Sequence, residues 1–395
     1  MRIMIHDYPG YAFPAELARE LAARGHHVLH VHFSATIGPK GRLVRQGGDP
    51  ATLAFEAIGI AGEYRKYSLP HRFMQERAYA AKLEGVVRAF RPDAVLSNAQ
   101  PDVQARLLAA CRKMDVPLIH WLQDIYSTAI GSILSKKSRA LGYMAGSWYR
   151  RLERKTIAGC AAVVCISPAF VEEMKRWGIS ESRLALIENW ASLADIPMRA
   201  RDNPWAREHG LAGFEVVLYA GTLGWKHNPA LLEKLARALE GRPEVRVVVA
   251  SEGLGAEWLC GRKREGGISN LILLPFQPEG AFAGMLASAR ILLAILESDA
   301  SAYSAPSKIL SYFCAGRPVV ASFPAENHSA RLLLDARAGM VCPPGDDDAF
   351  IAAVRHLLDA PDVAATLALN GRGYAERHFQ IREIADVFER LLTHV

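Results

Sequence analysis

The run Ser304-Ala305-Pro306-Ser307-Lys308-Ile309-Leu310-Ser311-Tyr312, closed by Gly316-Arg317-Pro318, contains residue types that can hold a phosphate. Ser304 is placed to cap a helix, Pro306 fits its first turn and Gly316 ends it. A helix start carries about half a positive charge and unpaired N–H groups, and Lys308 adds a full charge one turn in. For Lys308 alone, a solvated surface lysine is the plainer alternative. A second loop, Gly221-Thr222-Leu223-Gly224-Trp225-Lys226-His227-Asn228-Pro229, follows a strand-like run at 216–220. Its glycines let backbone approach a ligand, and Lys226 beside a helix start suits a phosphate. A tight turn that uses glycine for its dihedrals explains the same residues equally well. The first loop of the chain, His6-Asp7-Tyr8-Pro9-Gly10-Tyr11, is not the G-x-G-x-x-G of a dinucleotide fold, so a hydride-transfer enzyme loses its best support. Its aromatic and polar groups instead suit contact with a sugar or a lipid headgroup.

Two other groupings are expected to be structural. Asp346-Asp347-Asp348 follows Pro343-Pro344-Gly345 and precedes Ala349-Phe350-Ile351, which fits a helix N-cap better than a metal site. His26-His27, His30 and His32 lie in or beside a strand without a carboxylate or cysteine at ligand spacing. No metal is expected. The six cysteines include no C-x-x-C pair and read as small core residues of a reducing compartment.

These loops need elements to position them. Short Val/Ile/Leu runs at 3–5, 28–33, 94–97, 118–121, 162–166 and 184–187 alternate with helix-length segments. The same alternation resumes at 216–220, 245–250, 271–274, 291–296 and 319–322. Runs without polar alternation indicate strands covered on both faces, hence parallel sheets flanked by helices. Residues 191–213 are polar and turn-rich and read as the linker. The expected α/β architecture is two Rossmann-like domains facing a central cleft, residues 1–195 and 196–373.

A length of 395 residues, half of them apolar, excludes intrinsic disorder and a minimal disulfide-stapled module. The longest apolar stretch, 157–166, is too short to span a bilayer. With no signal-peptide pattern, a soluble cytoplasmic protein is expected. Charge is uneven. Residues 1–195 hold 26 basic and 18 acidic residues, against 21 and 23 in 196–395. Within 136–155, Lys136, Lys137, Arg139, Arg150, Arg151, Arg154 and Lys155 face only Glu153, interleaved with Tyr143, Met144, Trp148 and Tyr149. Basic and aromatic residues at near-helical spacing fit a helix lying on an anionic membrane surface; an ordinary solvated face is the alternative. No nucleic-acid motif accompanies the charge.

Taken together, several motifs resemble the retaining glycosyltransferases of family four, which have the GT-B fold, in the branch that builds bacterial polysaccharides such as colanic acid and O-antigen. They are Phe13-Pro14-Ala15, Gly25-His26, Trp121-Leu122-Gln123-Asp124, Ile166-Ser167-Pro168, Asn189-Trp190, Tyr219-Ala220-Gly221-Thr222-Leu223-Gly224, Glu252-Gly253, Pro306-Ser307-Lys308 and Ala315-Gly316-Arg317-Pro318-Val319-Val320. The resemblance implies a C-terminal domain that binds a nucleotide-sugar, UDP-linked by preference, an N-terminal domain that binds the acceptor, and a last helix, about Ile381 to Leu392 within 374–395, that crosses back onto the first domain. It implies retention by same-face attack, with lysines and N–H groups meeting the phosphate charge and no cofactor. Lys308, Lys226 and Asp124 are the expected catalytic residues, although bracing of its loop is an equal reading for Asp124. Gly221, Thr222, Gly224, Glu252, Phe276, Ser304, Pro306, Ser307 and Ser311 are expected at the nucleotide-sugar. His6, Tyr8, Gly10, Tyr11 and Gln123 are expected at the acceptor, and Lys136, Lys137, Arg139, Trp148, Arg150 and Arg151 at the membrane surface.

The chain departs from the family where its Glu-x7-Glu pair becomes Tyr303 and Ser311, its loop arginine becomes Thr222 and its acceptor-side histidine becomes Gln123. The leading expectation is a peripheral enzyme at the inner face of the plasma membrane that extends a polyprenyl-diphosphate-linked saccharide for exopolysaccharide, capsule or O-antigen. A nucleotide-sugar 2-epimerase and a two-lobed sugar-binding protein are the alternatives; the first needs paired acids that are not evident.

Overall fold

The computed structural model describes all residues except 36–40, 65–67, 136–137 and 299–306. The chain divides into two units. The first comprises Met1–Asn189 with Ile381–Val395, and the second comprises Trp190–Gln380.

The first unit is built on seven parallel strands: β1 (Arg2–Asp7), β2 (His27–Phe33), β3 (Leu53–Ile58), β4 (Ala94–Asn98), β5 (Leu118–Leu122), β6 (Ala162–Cys165) and β7 (Leu184–Leu186). Their order is β3-β2-β1-β4-β5-β6-β7. The second unit has six: β8 (Glu215–Ala220), β9 (Val245–Ala250), β10 (Leu271–Leu274), β11 (Ala289–Ile295), β12 (Val319–Ser322) and β13 (Gly339–Cys342), ordered β10-β9-β8-β11-β12-β13. Both sheets are parallel throughout and α/β. Central strands such as β4 and β12 are buried on both faces, as unbroken apolar runs require.

In each sheet the strand order reverses once, between β1 and β4 and between β8 and β11. Loops leaving those strands flank the crevice in which open α/β sheets bind ligands. The first loop of the chain and the Gly221 loop both occupy such switch points.

The boundaries differ from those expected. Residues 191–213 are no linker. Trp190, Ala191, Ile196 and Trp205 are buried, and Asn203 caps the helix Pro204–Glu208 by accepting from the Trp205 and Ala206 N–H groups. Arg372 donates to the carbonyls of Ile196 and Cys314, so the helix Pro361–His378 stays with the second unit. The last helix, Ile381–Thr393, makes the return, while residues 374–380 stay with the second unit.

The helix Ile381–Thr393 packs on the first unit. Arg24 bridges Asp386 and Glu389 at 2.6 and 2.8 Å, and His26 Nε2 lies 2.8 Å from Glu389. Phe388 is fully buried, its ring 4.8 Å from that of Trp121. Replacing Phe388 with Ala is expected to cost about 3–5 kcal/mol, read as a loss of urea midpoint at unchanged slope.

Asp346 caps the helix Asp347–Asp359, accepting from the Ala349 N–H at 2.9 Å. Cys260 is exposed, unlike the other five cysteines, which are buried.

Candidate functional site

In the second unit, β8 ends at Ala220 and the chain turns through Gly221 at φ +119°, a conformation that favours glycine. A Cβ there would sit 3.4 Å from Lys308 Nζ. Lys308 opens the helix Lys308–Ala315, with Ser307 preceding it and left-handed Gly316 ending it. Its stem is partly exposed but its ammonium nitrogen is buried, with no hydrogen-bond partner among the described residues. It stands 3.7 Å above the Tyr219 ring centroid. Burial, then the charge of Lys226, pushes the Lys308 amine down to about 7.

The ring beneath it is fixed. Tyr219 donates its hydroxyl to the Thr222 carbonyl at 2.9 Å, and Tyr312, one turn after Lys308, donates to the Leu293 carbonyl at 3.1 Å. The short turn Trp225–His227 closes the other side. Its Lys226 is exposed, whereas half-buried His227 lies with its ring 6.5 Å from that of Tyr219. The Lys226 carbonyl accepts from Glu297 N–H at 2.8 Å, tying the turn to the chain beyond β11.

Among the described residues, the Lys308 amine lies over an aromatic face beside left-handed Gly221 and exposed Lys226 with no hydrogen-bond acceptor of its own. A buried polar group without a partner is costly unless a ligand supplies one. The arrangement is fitted to an anion.

Gly221, Lys308 and Lys226 therefore come together. Glu252 is exposed, and its carbonyl accepts from Leu223 N–H at 3.2 Å, which brings its loop against Thr222 and Gly224. Phe276 follows β10, the edge strand, two positions from β8. Ser307 is exposed and Ser311 half-buried. Ser304 and Pro306 lie outside the described residues. Tyr219 and His227 were not singled out as site residues: one reads as an ordinary core tyrosine and the other as a turn residue.

In the first unit several acceptor candidates are corrected. His6 is buried, its Nδ1 2.8 Å from Ser97 Oγ and its Nε2 2.8 Å from Tyr79 Oη. Burial, then His32, pushes it down to about 3, so it is a neutral core residue with both nitrogens engaged. Tyr8 is also core, packed against Phe33 and Tyr79. Gly10 is buried at φ +79° and serves the turn. Tyr11 is half-buried and stacks on Phe13. The polar residue organising this loop is Asp7, which accepts from Asn98 Nδ2 at 2.7 Å and from the Tyr11 N–H. Burial pushes Asp7 up to about 7 against those hydrogen bonds.

Gln123 exchanges two hydrogen bonds with Asn189, at 3.2 and 2.6 Å. Asp124 is half-buried beside a recess of about 20 Å³, also lined by Gln104, His120 and Tyr126. That volume suits one water. After burial, the Asp124 charge is the next largest influence raising the Tyr11 and Tyr126 phenols.

The basic segment forms the helix Arg139–Ala158, packed on the helix Tyr126–Ser135 where Gly131 meets Gly146. Glu153 is buried in this contact, accepting from the Tyr126 and Ser127 N–H groups at 2.8 and 2.9 Å. It thereby offsets the dipole at that helix start and leaves the outer face without its one acid. Arg139, Arg150 and Arg151 are exposed there, together with Tyr143, Met144 and Trp148 at 77, 67 and 53%. Lys136 and Lys137 lie outside the described residues. Among the described residues, no helix is long and apolar enough to cross a membrane.

Residues 13–195 match the model of Glycosyltransferase Family 4, and residues 215–360 that of Glycosyl transferases group 1. A glycogen synthase of Mycobacterium tuberculosis is 23% identical, the alignment covering 93% of this chain and 87% of that protein. Among solved structures, Anabaena HepE in complex with UDP-glucose superposes with a TM-score of 0.71 at 17% identity, covering all of both chains. WaaG, a glycosyltransferase involved in lipopolysaccharide biosynthesis, gives 0.70 at 15% identity over the full length of both. At those identities the likeness shows the fold. The two matches, one on each half of a doubled parallel-sheet architecture, show a glycosyltransferase of GT-B fold, similar to Family 4 in its N-terminal half and to group 1 in its C-terminal half.

Proposed function

We propose that this enzyme transfers a sugar, with retention, from a UDP-sugar to a polyprenyl-diphosphate-linked saccharide during the building of exopolysaccharide, capsule or O-antigen. The second unit binds the donor and the first the acceptor. The observation that carries the donor assignment is the buried Lys308 amine, unpartnered among the described residues, over the Tyr219 ring beside Gly221. A diphosphate there gives the amine its missing partner. As the sugar departs, negative charge grows on the leaving phosphate, where a preorganised cation is worth several kcal/mol. Lys226 adds a second charge at the rim. No metal is needed in this reading, because lysines and N–H groups meet the charge. UDP is favoured because HepE holds UDP-glucose in the same fold. A lipid-linked acceptor is favoured by the basic, aromatic face of the helix Arg139–Ala158 and by the likeness to WaaG.

A thermal-shift panel of UDP, GDP and their sugars tests the donor assignment, since ligand binding to the native state raises the melting point. UDP is expected to stabilise, and a panel without any shift would overturn the reading. Incubating UDP-sugars without acceptor separates transfer from 2-epimerisation, which needs no acceptor.

The same site makes binding depend on pH. In the free protein Lys308 is charged below about pH 7 and neutral above it. A diphosphate requires the charged form, so affinity should fall by up to about tenfold per unit above pH 7, until the higher pKa of the occupied site is reached. Calorimetry near pH 8 in buffers of differing ionisation heat should register proton uptake on UDP binding. Uptake of none would remove Lys308 from the contact.

A further inference from the structure

We propose that His227 is a further catalytic residue, whose Nε2–H donates a hydrogen bond to the departing diphosphate. The assignment rests on the donor-site reading above and extends it to a residue outside the lysine pair. Gly224 N–H donates to His227 Nδ1 at 3.1 Å. Nδ1 therefore presents its lone pair, and a neutral imidazole must then carry its proton on Nε2. Backbone geometry, not a titrating neighbour, selects the tautomer. Among the described residues Nε2 has no hydrogen-bond partner.

The ring is held in place. Asn228, at φ +42°, ends the turn and accepts from Leu231 N–H at 3.1 Å to start the next helix. The ring lies 6.5 Å from that of Tyr219, whose face carries Lys308 Nζ at 3.7 Å. The groups facing His227 are the Lys308 and Lys226 cations and the Tyr219 ring, whose hydroxyl is committed to Thr222. Burial and those two charges hold the imidazole down to about 3, so the donor stays neutral through the physiological range. A neutral donor adds a hydrogen bond without adding repulsion to two crowded lysines.

In the transfer step, the bond from the anomeric carbon to the diphosphate oxygen breaks and the bond to the acceptor oxygen forms. The acceptor proton passes to the departing diphosphate, and His227 keeps its own.

The test separates donation from turn structure. In His227→Asn the amide oxygen takes the place of Nδ1 and can still accept from Gly224 N–H, but nothing donates at the position of Nε2. In His227→Gln the amide nitrogen reaches that position. His227→Asn is expected to melt with the wild type in the absence of ligand, to bind UDP roughly tenfold or more weakly in calorimetric titration, and to lose kcat. His227→Gln should recover part of both. Wild-type affinity and kcat in a folded His227→Asn would overturn the proposal and leave His227 as a turn residue. A measurement independent of variant folding is the Nε2–H proton resonance of the wild type, expected to move downfield on adding UDP; a resonance unmoved at saturation would overturn it. Binding of neither UDP nor GDP by the wild type would instead bring down the donor-site reading, and this proposal with it.

Discussion

Lys308→Met should remove transfer while leaving the protein at least as stable as the wild type near neutral pH. Catalytic loss with no loss of stability distinguishes a ligand-directed amine from a structural one. Methionine nearly matches the stem in length and polarisability but offers no charge. In the native chain the amine is buried and unpartnered among the described residues, and such a group costs about 1–3 kcal/mol. The Tyr219 face returns part of this, about 1–2 kcal/mol for a desolvated cation. The balance leaves stability unchanged or slightly raised. For transfer, removing one preorganised donor from a developing oxyanion costs roughly 10²–10³ in rate.

The pH dependence of stability gives the same variant a second signature. An unfolded lysine titrates near 10.5 and folded Lys308 near 7, so between those values the unfolded state binds more protons. Wild-type stability should therefore rise with pH across that window relative to Lys308→Met. The methionine variant should hold its advantage at and below pH 7 and lose it progressively above. Initial rates with a UDP-sugar and melting curves at several pH values measure both effects. Transfer within threefold of wild type, or a variant destabilised at pH 7, would refute the assignment.

Much of this site was legible because its chemistry is local. Gly221 directly follows a strand, Lys226 and Lys308 stand close to helix starts, and a parallel-sheet reading takes those loops to strand ends without further information. Tyr219 and His227 escaped because their roles exist only in three dimensions. A tyrosine inside Val216-Val217-Leu218-Tyr219-Ala220 looks like strand core until a lysine from distant sequence is laid on its face. A histidine in a turn looks like filler until a backbone N–H fixes its tautomer. The first loop failed in the opposite direction. His6 and Tyr8 have types that suit sugar contact, but the strand end buries both, and Asp7 between them does the organising. Edge strands β3 and β13 were missed for a related reason. β3 is interrupted by Glu56 and exposes Ala54, Glu56 and Ala57, and β13 is four residues opening on Gly339, so neither has the continuous apolar run that marked the central strands. The linker reading of 191–213 failed because a five-residue helix around buried Trp205 and isolated buried residues such as Ile196 are too short to carry a period.

The outer face of the helix Arg139–Ala158 carries the second large effect. Arg150, Arg151 and Lys155 are exposed and form no ion pair within 4 Å among the described residues. Near an anionic leaflet each basic residue is worth about 1 kcal/mol. Replacing all three with Gln should therefore lower partition onto anionic vesicles by roughly 10²-fold at low salt, with the melting point little changed, because their one link to the core is the pull of Arg150 on the Glu153 carboxylate. Trp148, more than half exposed, should act differently. Trp148→Ala removes apolar contact and weakens binding to zwitterionic and anionic vesicles alike. Raising ionic strength should mimic the Gln variant and leave the Trp148→Ala deficit in place, because screening acts on charge and not on buried apolar area. Vesicle flotation with and without anionic lipid reads all of these. Equal wild-type recovery from both vesicle types would reduce the face to a solvated one. The burial of Glu153 makes the test sharp: with that acid turned inward to hold a neighbouring helix start, the charge that the helix Arg139–Ala158 shows outward is basic throughout.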